Sequence, residues 1–146
     1  MITLREITPE NYRAVFALKV APGQEGFVAN NVYSLAQAKV FTQAVPLAIY
    51  ADETPVGFVM YTPEEEGKFY IWRYMIGAEH QQKGYGRAAL KVVLDHLRAL
   101  AAHEVALSYE PSNTVAARLY ASFGFVETGE VDDGELVARL AFNGKD

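Results

Sequence analysis

Between an aromatic and β-branched run, Phe69-Tyr70-Ile71-Trp72-Arg73-Tyr74-Met75-Ile76, and the most regular helical stripe of the chain lies the short stretch Gln81-Gln82-Lys83-Gly84-Tyr85-Gly86-Arg87. The run predicts a central strand over Lys68–Ile76, because such side chains suit a pleated, buried surface. The stripe, Leu90, Val93, Leu94, Leu97 and Ala101 with Lys91, Asp95 and Arg98 opposite, predicts a helix over Gly86–Ala102. At ~1.5 Å per residue that helix is roughly 25 Å long, enough to cover a sheet. The glycine pair stands where a strand passes into the start of a helix. Such a junction makes an anion site, since the first helical turn has free N–H groups and about half a positive charge, and glycines let a phosphate approach them. Pyrophosphate is the natural guest. No Gly-Lys-Ser/Thr follows, and Ala89 stands at the third glycine position of Gly-x-Gly-x-x-Gly, so nucleotide hydrolysis and hydride transfer lose support.

The remaining elements follow from periodicity and punctuation. Ile2–Ile7 reads as a strand, Thr8-Pro9-Glu10 caps a short helix to about Lys19, and Pro22-Gly23 ends it. A second helix covers Asn31–Thr42. Strands Pro46–Ala51 and Pro55–Tyr61 meet across Asp52-Glu53-Thr54, Val105–Tyr109 is another strand, and Asn113–Phe123 is a helix stopped by Gly124. Phe125–Val131 and Leu136–Phe142 form a hairpin across Asp132-Asp133-Gly134. The order β-α-α-β-β-β-α-β-α-β-β implies a mixed α/β (α+β) fold, a central sheet flanked by helices, and 146 residues without a repeat or linker read as one domain, 1–146. With 51% hydrophobic residues and a net charge of −5 the chain is not disordered, and no stretch approaches the ~18 apolar residues of a membrane span. The acidic balance argues against nucleic acid, Arg5 and Glu6 interrupt any export signal, and a cytoplasmic setting is expected. The absence of cysteine removes disulfides, thiolate metal sites and a cysteine nucleophile; no metal is expected, and a homodimer is compatible with the sequence without being demanded by it.

Asn113 and Tyr120 are seven residues apart, two turns along one helix face, with Ala116 and Ala117 between. Alone, Asn113 is a helix cap and Tyr120 a core aromatic; after a phosphate loop they favour a site. Gln81-x-x-Gly84-x-Gly86, followed by Asn113-x-x-Ala116-x-x-x-Tyr120-x-x-x-Gly124-Phe125, resembles the acetyl-CoA site of the GNAT superfamily of N-acetyltransferases. Gln24-x-x-Phe27-Val28-Ala29-x-Asn31, Ser34-Leu35-Ala36-Gln37-Ala38, Pro55-Val56-Gly57-Phe58-Val59-Met60 and Trp72-Arg73-Tyr74-Met75-Ile76 look closer still to its bacterial diamine or polyamine (spermine/spermidine) branch. That branch commonly has aspartate where this chain has Gly77.

The resemblance implies an acetyl-CoA-dependent N-acetyltransferase acting on a small-molecule amine, a polyamine first. It implies that Gln81, Gln82, Lys83, Gly84, Tyr85, Gly86 and Arg87 hold the pyrophosphate and that Asn113 holds the pantetheine arm. Backbone N–H groups near Met75 and Ile76 then face the oxyanion, and Tyr120 is the general acid beside the departing sulfur. For the acceptor, the residues themselves offer Glu25 and Glu110 as anchors for a cationic amine and Trp72, read as sharing a strand face with Tyr74, as a cation–π partner. Glu64-Glu65-Glu66 reads as a solvated turn, and His80, His96 and His103 as structural or solvated. Another amine, such as an amino acid or antibiotic, or a non-catalytic acyl-CoA-binding protein on the same fold, is the alternative.

Overall fold

In the computed structural model, which describes residues 1–142, the elements are β1 (Ile2–Arg5), α1 (Tyr12–Ala17), α2 (Asn31–Val40), β2 (Val45–Ala51), β3 (Thr54–Glu65) and β4 (Lys68–Ile76), then α3 (Tyr85–Ala99), β5 (Glu104–Tyr109), α4 (Thr114–Ser122), β6 (Val126–Asp132) and β7 (Glu135–Ala141). The expected order holds, with one 3-10 turn, Ala78–His80, added before α3. The strands make one sheet in the order β1-β2-β3-β4-β5-β7-β6, antiparallel throughout except for the β4–β5 pair.

Boundaries differ where side chains compete with the backbone pattern. The first helix is shorter than Thr8–Lys19, because the Thr8 carbonyl accepts from Asn11 N and Tyr12 N and makes a turn of Thr8–Asn11. The Asn11 amide is tied to the Glu6 carbonyl and to the Tyr50 hydroxyl, which anchors that turn on β2. The Glu64-Glu65-Glu66 run is solvated but only Glu66 belongs to the turn: β3 extends through Glu65 to pair with Lys68, and Glu64 meets Arg139 of β7 at 3.0 Å.

The two sheet faces carry separate cores. Leu90, Val93, Leu94 and Leu97 of α3 pack with Ile49, Val59, Ile71, Val105 and Leu107, as their stripe requires. Val15 of α1 packs on the other face with Ala48, Phe58, Met60 and Met75, against Leu35 and Ala38 of α2. The strands β3 and β4 approach closely at Gly57, where a Cβ would run into the Met75 carbonyl. A one-residue irregularity in that pair changes the phase of β4: Met60 is opposite Arg73 but Tyr61 is opposite Ile71. Tyr74 and Ile76 therefore continue the α3-side face of Phe69 and Ile71, whereas Trp72 and Met75 join the α1–α2 side. The expectation that Trp72 and Tyr74 share a face fails for this reason.

Candidate active site

The parallel β4–β5 ladder matches only Lys68–Ile71 with Glu104–Leu107, and β4 runs on to Ile76 without a partner in β5. The two strands cease to pair beyond Ile71 and Leu107. Which backbone groups line the gap follows from strand geometry, because N–H and C=O of one residue point to the same side. The Met75 carbonyl faces Gly57 of β3, and Gly77 N donates to Val56 O, so Met75 is turned to β3. The Ile76 carbonyl instead accepts from Gln81 Nε2 at 2.9 Å, which leaves Ile76 turned away from β3, its N–H on the side of the gap. Of the two expected backbone donors, only that of Ile76 faces this way. Trp72 O, further back, accepts from Arg73 Nη1.

On the α3 side of the gap, Gly84 heads the helix at φ +82°, with no side-chain cap. The first bond of this turn runs from Ala88 N to Gly84 O, so the N–H groups of Tyr85, Gly86 and Arg87 are without intrahelical acceptors. A Cβ at Gly84 would meet nothing within 4 Å, so the space beside this residue is open. That arrangement fits a pyrophosphate. The Tyr74 hydroxyl donates to the Gly86 carbonyl and fixes the first turn of α3 to β4. Burial, reinforced by the neighbouring Tyr120, holds the Tyr74 phenol well above its ordinary value, so it stays a donor.

The loop side chains divide. Gln82 and Lys83 are exposed, and Gln82 has a positive φ of 62°. Gln81 does not point at the anion site: its amide bridges Ile76 O and Gln24 Oε1, 3.0 Å away. Arg87 leans across to α4, with Nη2 on Ser122 Oγ at 3.0 Å and the guanidinium over Phe123. Asn113 caps α4 through Oδ1, which accepts from Ala116 N at 3.3 Å, leaving its Nδ2 for a second partner. Tyr120 is buried against Tyr109 and Phe125, ring centroids 5.7 and 6.0 Å away. Its phenol is raised, chiefly by burial and then by the field of Glu135 and Tyr109. Glu110 meets this cluster through its backbone carbonyl, which accepts from Asn113 N.

The opposite side of the sheet holds a cavity of about 850 Å³ between α1, α2 and the loop joining them, with Met75 as its floor. Glu25 and Lys19 are its charged lining residues; Phe16, Leu18, Val28 and Val32 supply apolar wall. Glu25 Oε2 accepts from Gly23 N at 2.8 Å. Of the three acceptor candidates only Glu25 is here. Trp72 stacks edge-on against Phe41, 5.5 Å away, beside a separate hollow, and Glu110 is at the end of β5. Tyr74, expected beside Trp72 as a cation–π contact, instead donates to the Gly86 carbonyl, and Lys19, to which the sequence assigns no role, lines the cavity. The histidines are structural neighbours: His96 Nε2 is 2.9 Å from Tyr61 Oη, and His103 packs over Gly67. Among the described residues no group of three His, Asp or Glu could hold a metal ion.

Comparison with known proteins gives a consistent picture. The family model described as "Acetyltransferase (GNAT) family" matches residues 5–125. The spermine/spermidine N(1)-acetyltransferase of Bacillus subtilis is 32% identical over 145 aligned positions, 93% of this chain and 95% of the relative. Among solved structures, the Vibrio cholerae spermidine N-acetyltransferase with CoA and spermine superposes with a TM-score of 0.74 at 20% identity, covering 94% of this chain and 92% of that one. The PaiA N-acetyltransferase of Thermoplasma acidophilum with coenzyme A gives 0.72 at 16% identity, covering 97% and 99%.

Proposed function

The chain belongs to the GNAT family of acetyltransferases, and from that premise we propose that it moves the acetyl group of acetyl-CoA onto a primary amine of a polyamine in the cytoplasm. The observation that carries this reading is the parting of β4 from β5, with free helix N–H groups on one side and an apolar cavity on the other. The polyamine choice is supported by the names of the relatives. The cavity supports it in a narrower way: one carboxylate, Glu25, at the edge of a largely apolar wall suits one ammonium and the methylene chain beside it.

Acetyl-CoA, when bound, supplies an activated acyl group as a thioester. The N–H groups of Tyr85, Gly86 and Arg87 hold its pyrophosphate, and Asn113 Nδ2 binds the arm. The Ile76 N–H donates to the acyl oxygen as negative charge gathers there. The apolar wall disfavours the charged form of the reacting amine, whose ordinary pKa is ~10, and so raises the fraction with a lone pair. Tyr120 gives its proton to the departing sulfur. An ordinary phenol at ~10 donating to a thiolate of ~8.5 goes uphill by roughly 2 kcal/mol, and the raised Tyr120 phenol makes the free transfer less favourable still. Donation is therefore coupled to breaking of the carbon–sulfur bond.

The test is acceptor-dependent thiol release by purified protein with acetyl-CoA saturating, comparing spermidine, a simple monoamine and an amino acid at low and high salt. The polyamine reading expects the highest kcat/KM for spermidine and a KM that rises with ionic strength as screening weakens attraction. A preference for the amino acid rejects the polyamine and keeps the acetyltransferase; no release with any amine rejects both.

A further inference from the structure

Asn31, the first residue of α2, is 2% exposed, and it lines the acceptor cavity. Its Nδ2 donates to the Val15 carbonyl at 2.9 Å and lies 3.9 Å from Met75 Sδ. A carbonyl can only accept, so this bond fixes which end of the amide faces α1: the nitrogen must, and the oxygen cannot. Oδ1 then points the other way, and it accepts no hydrogen bond from any of the described residues. Nor is it sealed off, since Arg73 Nε is the side-chain polar atom that is both solvent-inaccessible and unpartnered among those residues. Asn31 lines the cavity, which is the space within reach of that oxygen. An accessible amide oxygen with no partner among the described residues is free to accept from a molecule in the cavity.

We infer that Asn31 is a substrate-contacting residue, whose Oδ1 accepts an N–H from the acceptor amine beside Met75 and turns the nitrogen lone pair toward the gap between β4 and β5. This rests on the acetyltransferase reading above and deepens it. In the transfer the amine nitrogen bonds to the acetyl carbonyl carbon, the carbon–sulfur bond breaks, and the sulfur leaves as a thiol carrying the Tyr120 proton. The nitrogen becomes cationic as its new bond forms and releases its surplus proton to water, from which Tyr120 is reprotonated. An N–H bond to a fixed oxygen strengthens as that positive charge grows, so the contact favours the transition state over the ground state. Glu25 and Lys19 are the charged groups that share the cavity; Glu25, held by the Gly23 N–H, stands in the loop between α1 and α2 and suits a second ammonium of the same acceptor.

The experiment uses the full chain with acetyl-CoA and spermidine, reading kcat, KM, the pH profile of kcat, CoA affinity by calorimetry and the thermal midpoint. Asn31→Ala removes the acceptor oxygen and should lower kcat/KM about 10–100-fold, mostly in kcat, with CoA affinity unchanged. Asn31→Asp retains an oxygen there and charges it; it should recover much of kcat but move the alkaline rise of the profile up by about one pH unit or more, because a carboxylate holds the bound amine protonated. A merely structural amide would lower the midpoint in both variants without moving that limb. The inference is overturned if Asn31→Ala stays within twofold of wild type, or if the Asn31→Asp profile superimposes on it. Absence of turnover by wild type with every amine would instead sink the acetyltransferase reading itself.

Discussion

The two ends of the β4–β5 pair are built in opposite ways. At the closed end, Lys68–Ile71 run beside Glu104–Leu107 in a regular ladder, and charged side chains fasten the neighbouring strands around it. Arg139 of β7 reaches Glu104 of β5 and Glu64 of β3, each at 3.0 Å, and Glu130 of β6 at 2.9 Å; Lys68 joins through Glu104 and Glu65. At the open end the ladder stops, and backbone groups that a strand would satisfy are met by side chains, Gln81 on Ile76 O and Arg73 on Trp72 O. The proposed binding slot is thus made by ending a ladder early, which is tolerable only because unpaired groups find substitutes. The closed end holds the strands in register so that the open end keeps its width.

The sharpest break of this comparison removes one atom at the open end. Tyr120→Phe retains the ring contacts with Tyr109 and Phe125 but deletes the donor, and kcat should fall about 10²–10⁴-fold with CoA affinity nearly intact. A kcat within a few fold of wild type, with binding lost, would make Tyr120 a packing residue. Next in size is Gly86→Glu. A Cβ there meets only Ile76 Cγ1 at 3.9 Å, so the fold tolerates it, but the carboxylate faces the helix N–H groups. Calorimetry should show CoA weakened at least about tenfold with the thermal midpoint little changed; unchanged affinity removes the pyrophosphate assignment.

A smaller effect is expected across the sheet. Glu25→Gln should raise the KM for spermidine several-fold and flatten its salt dependence, leaving kcat in place, whereas Trp72→Phe should leave both as they are because Trp72 belongs to another hollow. Smallest is the closed end. Arg139→Met should lower the thermal midpoint by about 3 °C, the scale on which partly exposed ion networks act. It should also change the acid side of the stability curve. Hydrogen bonding to Arg139, then to Thr128, brings the Glu130 carboxyl down to about 2. A carboxylate depressed in the folded state adds stability that is complete above its unfolded value and is lost as pH falls through the folded one. The wild-type midpoint should therefore drop between roughly pH 5 and pH 2 more steeply than that of the variant. Parallel curves would separate Arg139 from Glu130.

The contrast between the ends also separates what could be read from the chain. The proposed cofactor side is made of backbone donors at the start of one helix, and Gly84, Gly86 and the α3 stripe are local features, visible in a window of about twenty residues. The proposed acceptor side is made of side chains from α1, the following loop, α2 and β4, and no local pattern says which of them meet. The charge of Glu25 marks it as a candidate and the structure sets it in the cavity lining, whereas one extra residue in β4 reverses the phase of Trp72 and carries it away from Tyr74. Glu64 was read as a turn residue because its partner, Arg139, is 75 positions away.

By itself the sequence determined the order of elements, the strand–glycine–helix unit with its anion site, and the Asn113 and Tyr120 face of α4, since all rest on periodicities of two and 3.6 and on backbone conformations that few residues allow. Tertiary structure alone decided where β4 leaves β5, which of Met75 and Ile76 turns its N–H to the gap, and that Gln81 braces the strand end rather than the anion site. It also decided that Asn31 meets Met75 across 44 positions. Those outcomes depend on register, on a single irregularity in a ladder and on buried polar groups finding partners, and each is a relation between segments that no one segment encodes.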